Sequence, residues 1–171
     1  MSKEVQRSNQ RGFFNHGWLQ TYHSFSFADY FNPDKMGFGA LRVINDDVIA
    51  PGAGFGMHPH ENMEIITIVL SGSLAHQDSM GNMSVIHAGE AQVMSAGTGV
   101  LHSEFNASSD EPVSLFQIWI LPDTMDVDPR YAEHFFGNIH SEKAFQTLVG
   151  PKSSEFPLWI HQDAFISLAD I

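Results

Sequence analysis

The sequence predicts an all-β protein, an antiparallel sandwich or barrel, on three observations. Between Leu41 and Leu121 short β-prone runs follow one another: LRVIND, EIITIVL, MSVIH, AQVMS and LFQIWIL. Turn signals separate them at Pro51-Gly52, Ser71-Gly72, Gly81-Asn82, Ala88-Gly89, Gly97-Thr98-Gly99 and Asp110-Glu111-Pro112. No long helical period appears, and strands recurring every 8–12 residues or so are the signature of sandwiches and barrels. Upstream, HSFSFADYFNP alternates Phe25 and Phe27 with Ser24 and Ser26, which predicts a short strand followed by a turn at Asn32-Pro33. Downstream, Asp128 is an N-cap candidate, Pro129 suits a first helical position and Glu133 follows, so Asp128 to Phe136 is expected to form a short helix after the barrel. The rest, through Gly150-Pro151 and Ser153-Ser154, reads as a linker and one or two strands.

Composition narrows the function classes. A chain of 171 residues, 43% apolar with 14 Phe and 3 Trp, can bury the core of one ordinary domain or of one domain plus part of another. Its 20 acidic against 8 basic side chains give a net charge of −12, which repels nucleic-acid phosphates and anionic lipid. Direct nucleic-acid binding is not expected. No window approaches the ~20 apolar residues of a membrane span, and the polar start MSKEVQRSNQRG lacks the apolar core of a secretory signal, so the expected location is the cytoplasm. Zero cysteines exclude disulfides, thiolate metal sites and Cys nucleophiles, which leaves imidazoles and carboxylates as metal ligands. There are ten histidines.

Two of them, His58 and His60 in GMHPHENME, project from one face if the segment is extended. Pro59 between them favours extended geometry but donates no hydrogen bond, which places the pair at a strand start or edge, near a barrel rim. A bare His-x-His is weak. The second pair, His102 and Glu104 in GVLHSEFN, repeats the spacing after a glycine-rich approach. Three imidazoles and a carboxylate on two antiparallel strands make an N3O set that leaves positions open for substrate or oxygen, as a catalytic rather than a closed site does.

These blocks carry a resemblance. Gly52 to Gly72 resembles the first cupin motif, and Gly89 to Asn106 the second, with Gly99, His102 and Asn106 at the family spacing. More narrowly, HSFSFADYFNP, HPHENMEIITIVLSG, HQDSMGNMSVIHAGEAQVMSAGTGVLHSEFN and QIWILP are similar to pirin sequences over most of residues 10–135. One extra residue between Glu64 and Gly72, Ser95 in place of a usual proline, and the inserted Gly97-Thr98 depart from the general cupin pattern but resemble pirins. The resemblance implies a cupin-type, jelly-roll-like barrel in an N-terminal domain of residues 1–135, with 136–171 as linker and incomplete start of a second cupin domain. It implies metal ligation by His58, His60, His102 and Glu104, with Glu64 a competitor because its equivalent is a ligand in many other cupins. The metal would be one divalent transition ion, Fe(II) foremost, with Mn, Ni, Cu or Zn also compatible with the donors.

The activity implied is that of a dioxygenase similar to quercetin 2,3-dioxygenase, with Glu104 as ligand and base toward a small aromatic or enol substrate. The alternatives are a metal-dependent regulatory protein acting through a protein partner, and a nonredox cupin such as an isomerase. Elsewhere, His76 and His87 are expected to be solvated, His23 structural, and Met57, Met63, Met80, Met83 and Met94 core packing. Phe55 and Phe105 are candidates for an apolar pocket above the metal. His16 and His161 support no expectation. The apolar residues of 156–168 are expected to be ordered, against the barrel or in a homodimer contact, with the dimer favoured.

Overall fold

The computed structural model describes residues 5–137 and 145–169. Among them, fourteen strands run β1 (Gly12–Asn15), β2 (Leu19–His23), β3 (Leu41–Ile49), β4 (Gly54–His60), β5 (Glu64–Ser71), β6 (Ser73–Asp78), β7 (Met83–His87), β8 (Glu90–Ser95), β9 (Val100–Asn106), β10 (Val113–Ile120), β11 (Arg130–Phe135), β12 (Gln146–Pro151), β13 (Leu158–Ile160) and β14 (Ile166–Leu168). They build a seven-stranded sheet in the order β1-β2-β3-β10-β5-β8-β11, a four-stranded sheet β4-β9-β6-β7 and a small sheet β13-β12-β14.

Apolar alternation explains how the first two sheets face each other. Leu19, Ile49, Val69, Val113 and Leu115 from the large sheet pack with Leu74 and Ile86 from the four-stranded one. A second cluster, Ile65, Met94, Ala96 and Val100, closes the interior elsewhere. Each strand places every second residue inward, so β3 alternates buried Val43, Asn45, Asp47 and Ile49 with more exposed neighbours.

The strand β5 breaks that alternation, with Glu64 to Val69 all buried. Its outward residues Ile66 and Ile68, with Ala91 and Val93 of β8, are covered by Leu148, Val149, Leu158 and Ile160 of the C-terminal sheet. A strand covered on both faces reads as a continuous apolar run, as EIITIVL does. The C-terminal segment is therefore packed on its own barrel. Arg130 ties it further: its guanidinium carbon sits 3.7 Å from the Trp159 ring centroid, and Nη1 donates to the Trp159 carbonyl at 2.8 Å.

Two local expectations are corrected. Residues 130–135 form strand β11, not a helix, pairing with β8 from Arg130↔Ser95 to Phe135↔Glu90. An isolated helix of nine residues is marginal. The edge of β8 offers a ladder of backbone partners, and Tyr131 points its hydroxyl inward to Ser84 and Gln92. In HSFSFADYFNP the strand lies upstream, ending at His23. Phe27 and Tyr30 then exchange backbone bonds of 3.0 and 2.9 Å around Ala28, whose φ is 47°. The Ser26 hydroxyl binds both backbone groups of Asn32, and Asn32 Oδ1 accepts from the Asp34 amide, which makes the expected Asn-Pro turn.

Candidate metal centre

The histidine pair on β4 meets the pair on β9 because the two strands are direct neighbours, with His58 opposite His102 and Phe55 opposite Glu104. Two residues separate Phe55 from His58, while only one separates Glu104 from His102. The extra residue is a β-bulge at Gly56-Met57. It rotates the strand so that Phe55, His58 and His60 share the inward face. Pro59 takes the edge strand of its sheet, where its missing donor leaves no ladder bond unmade.

The three imidazoles converge. Ring centroids lie 4.4 Å apart for His58 and His102, 4.8 Å for His60 and His102, and 4.8 Å for His58 and His60. His58 Nδ1 is 2.7 Å from the Gly56 carbonyl, which can only accept, so Nδ1 is the donor there and Nε2 is the nitrogen left to face a metal. His102 is buried and neither of its ring nitrogens has a partner among the described residues. Burial, reinforced by the neighbouring imidazoles, lowers His60 to about 4 and His102 to about 3, so both are neutral near pH 7. Converging neutral imidazoles with free lone pairs are the donors a divalent transition metal takes. The residues present fit that group.

Glu104 is wholly buried and its pKa is raised by that burial, against the opposing pull of His76 and of hydrogen bonds from Thr67, Gln117 and Gln92. Oε1 accepts from Gln92 Nε2 at 2.7 Å and lies 3.2 Å from the Thr67 hydroxyl; Oε2 accepts from Gln117 Nε2 at 2.8 Å. One acceptor position on Oε2 remains. These side chains belong to one register row: His23 pairs Asn45, Asn45 pairs Gln117, Gln117 pairs Thr67, and Thr67 pairs Gln92 across β2, β3, β10, β5 and β8. A polar stripe thus crosses the inner face of the large sheet.

Ligand atoms of His58, His60 and His102 lie within 4.8 Å of one another, and so do those of His76, His102 and Glu104; His102 joins the two groups. His76 corrects an expectation. It is buried, not solvated, with Nε2 at 3.3 Å from Asp78 Oδ2 and its ring stacked on Tyr131 at 4.4 Å. The signal was its parity with Asp78, both of which face inward on β6. Glu64 is engaged elsewhere: Ser95 Oγ donates to it at 2.7 Å and His161 Nδ1 lies 3.0 Å away. His161, of which nothing was expected, thereby locks the C-terminal segment to β5. Ser95 marks the site where the Glu64 carboxylate turns from the metal donors to this lock.

A cavity of about 270 Å³ opens on the centre, lined by Phe27, Phe55, Ile65 and Trp119 beside the polar residues Asn45, Asp47 and Gln117. Phe55 lines it as expected. Phe105 is 40% exposed and does not. Met94 is core, whereas Met57, Met80 and Met83 lie exposed, Met83 at 75%. Buried His23 stacks on Phe14 at 5.4 Å, a structural place; His87 is exposed as expected.

Two predictions arise here. A Cβ on Gly54 would stand 2.2 Å from the Glu104 carbonyl oxygen and 2.5 Å from Phe105 Cα, both backbone atoms, so β4 and β9 would have to separate. Gly54→Ala should lower metal affinity about tenfold or more and destabilise the fold by about 1–3 kcal/mol; calorimetric titration and thermal unfolding at wild-type values would refute this. The second concerns Asp47, 3% exposed. Burial chiefly, with Glu104 and Asp46 adding and Thr21 opposing, raises its carboxyl from 3.8 to about 7. In the metal-free protein the unfolded chain releases this proton near pH 4 and the folded chain near pH 7. The contribution of Asp47 to stability is therefore complete below about pH 4 and declines as pH rises to about 7. Asp47→Asn should match wild type at pH 4 and exceed it by about 2–4 kcal/mol at pH 8. Urea titrations at the two pH values check this, and an equal difference at both would count against it.

Comparison with known proteins agrees with this geometry. The family model for Pirin matches residues 4–120. A protein of Escherichia coli K12 named quercetin 2,3-dioxygenase is 52% identical over 159 residues, covering 93% of this chain and 68% of its own length. The crystal structure of YhhW from Escherichia coli aligns with a TM-score of 0.88 at 51% identity, over 94% of this chain and 68% of that one. That of bacterial pirin YhhW in complex with nickel(II) aligns with a TM-score of 0.86 at 52% identity, over 92% and 66%. With the barrel, the paired donor strands and these likenesses together, the chain belongs to the pirin family of the cupin superfamily.

Proposed function

We propose that this protein is a metal-dependent cupin dioxygenase that acts on flavonols such as quercetin. The observation that carries the reading is the convergence of three imidazoles on one wall of a cavity that Phe27, Phe55 and Trp119 also line. The relatives named above support the class of chemistry, one by its name and one by its nickel(II).

His58, His60, His102 and Glu104 would hold the metal, with Fe(II) as the native ion. When bound, the metal supplies Lewis acidity toward an enolic hydroxyl and, as iron, redox chemistry. The remaining work belongs to the chain. Phe27, Phe55, Ile65 and Trp119 receive a flat ring and exclude water. Gln92, Thr67 and Gln117 fix the Glu104 carboxylate and leave it a single open acceptor position, on Oε2, which would either hold the metal or serve as base toward the substrate hydroxyl.

Reconstituting the purified protein with Fe(II), Ni(II) or Mn(II) and following flavonol absorbance and oxygen uptake in air tests this. Metal-dependent consumption of quercetin is expected. A metal-loaded protein that leaves a panel of flavonols intact would sink the reading.

A further inference from the structure

The polar stripe across the large sheet divides into two halves that differ in how they are satisfied. On one side Gln92, Thr67 and Gln117 spend their polar atoms on Glu104, on each other and, for Gln92 Oε1, on the Tyr131 hydroxyl. On the other side, on β3, Asn45 Oδ1 and Asp47 Oδ1 have no hydrogen-bond partner among the described residues, although both residues are only 3% exposed; the Thr21 hydroxyl, opposite Asp47 on β2, is likewise without a bonded partner. Both line the cavity, on the sheet facing the one that carries the histidines. Their inward neighbours on the same strand are Val43 and Ile49, so packing alone would favour apolar residues at 45 and 47. Buried acceptors without donors are costly and rare unless something else supplies the donor. Trp119 Nε1, also lining the cavity and without a partner, adds a donor to the same wall.

We propose that Asn45 and Asp47 form a hydroxyl-binding wall of the cavity that selects a polyhydroxylated aromatic ligand over one bearing only its metal-side hydroxyl. This deepens the flavonol reading and rests on it. A planar ring seated between Phe27, Phe55 and Trp119 would have the imidazoles at one edge and the β3 acceptors toward the other. Two acceptors side by side require O–H or N–H donors on the ligand; a bare hydrocarbon edge would leave them desolvated and unpaired, a strong basis for discrimination.

The test is anaerobic titration of nickel(II)-loaded protein with quercetin and with 3-hydroxyflavone, which lacks every hydroxyl but the one at the enol. Binding is followed by calorimetry and by quenching of tryptophan fluorescence. Wild type should prefer quercetin by about tenfold or more. Asp47→Leu and Asn45→Leu, with the same branching at Cγ but without acceptors, should lose most of that preference by weakening quercetin more than 3-hydroxyflavone. Asp47→Asn keeps an acceptor oxygen and should retain part of it, which separates recognition from damage to the fold. Equal affinity of wild type for the two ligands, or equal weakening of both in the leucine variants, overturns the wall and leaves the flavonol reading standing. A wild type that takes up neither ligand overturns both.

Discussion

His102→Ala should leave the protein folded and nearly free of metal, with affinity lowered by about two orders of magnitude or more. His102 is common to both groups of converging donors, so its loss breaks each of them. The fold survives because the apolar clusters hold the sheets together without it. The substitution also removes a buried imidazole whose two nitrogens lack partners in the metal-free protein, which offsets part of the cavity it leaves. His58→Ala should behave alike, while His87→Ala, at an exposed position, should bind metal as wild type does. Metal analysis with circular dichroism decides, and full occupancy in both His102→Ala and His58→Ala would rule out the site.

Leu158→Ala should destabilise the whole barrel by about 2–5 kcal/mol, as deletion of a fully buried leucine does. Leu158 is 0% exposed and lies in one cluster with Ile66, Ile68, Ala91 and Val93, so its loss loosens the cover over β5 and β8. Phe165, 60% exposed, provides the contrast: its replacement by alanine should cost about 1 kcal/mol or less. In limited proteolysis the wild-type segment 146–169 should resist cleavage and the Leu158→Ala variant should be trimmed after about residue 150. Rapid trimming of a wild-type monomer would show that the segment is not docked as described.

The strands β3, β5, β7, β8 and β10 were legible because each apolar run is short and bounded by turn chemistry, and both properties act locally; β6, with polar His76, Gln77 and Asp78, was not. The donor pairs were legible for a similar reason, since a two-residue spacing puts side chains on one face whatever the rest of the chain does. What misled was also local. Asp128-Pro129 has the chemistry of a helix start, but the open edge of β8 offered six pairings and took the segment as a strand. The run HSFSF has strand-like alternation, yet the Ser26 hydroxyl closes on Asn32 and turns the chain.

By itself the sequence determined the all-β class, the exclusion of thiolate chemistry, and the identity of the two histidine-bearing segments, since these follow from composition, period and spacing. Tertiary structure alone decided the rest. The bulge at Gly56-Met57 sets which residues of β4 face inward, because side-chain parity depends on the partner strand's register. Burial of His76 depends on which strand covers β6, and the capture of Glu64 by Ser95 and His161 joins residues up to 97 apart in the chain. The polar stripe depends on five strands coming into register, four of its five residues isolated in the sequence within otherwise β-prone runs. Such contacts leave no periodic trace in a linear chain, because they are fixed by pairing between distant strands.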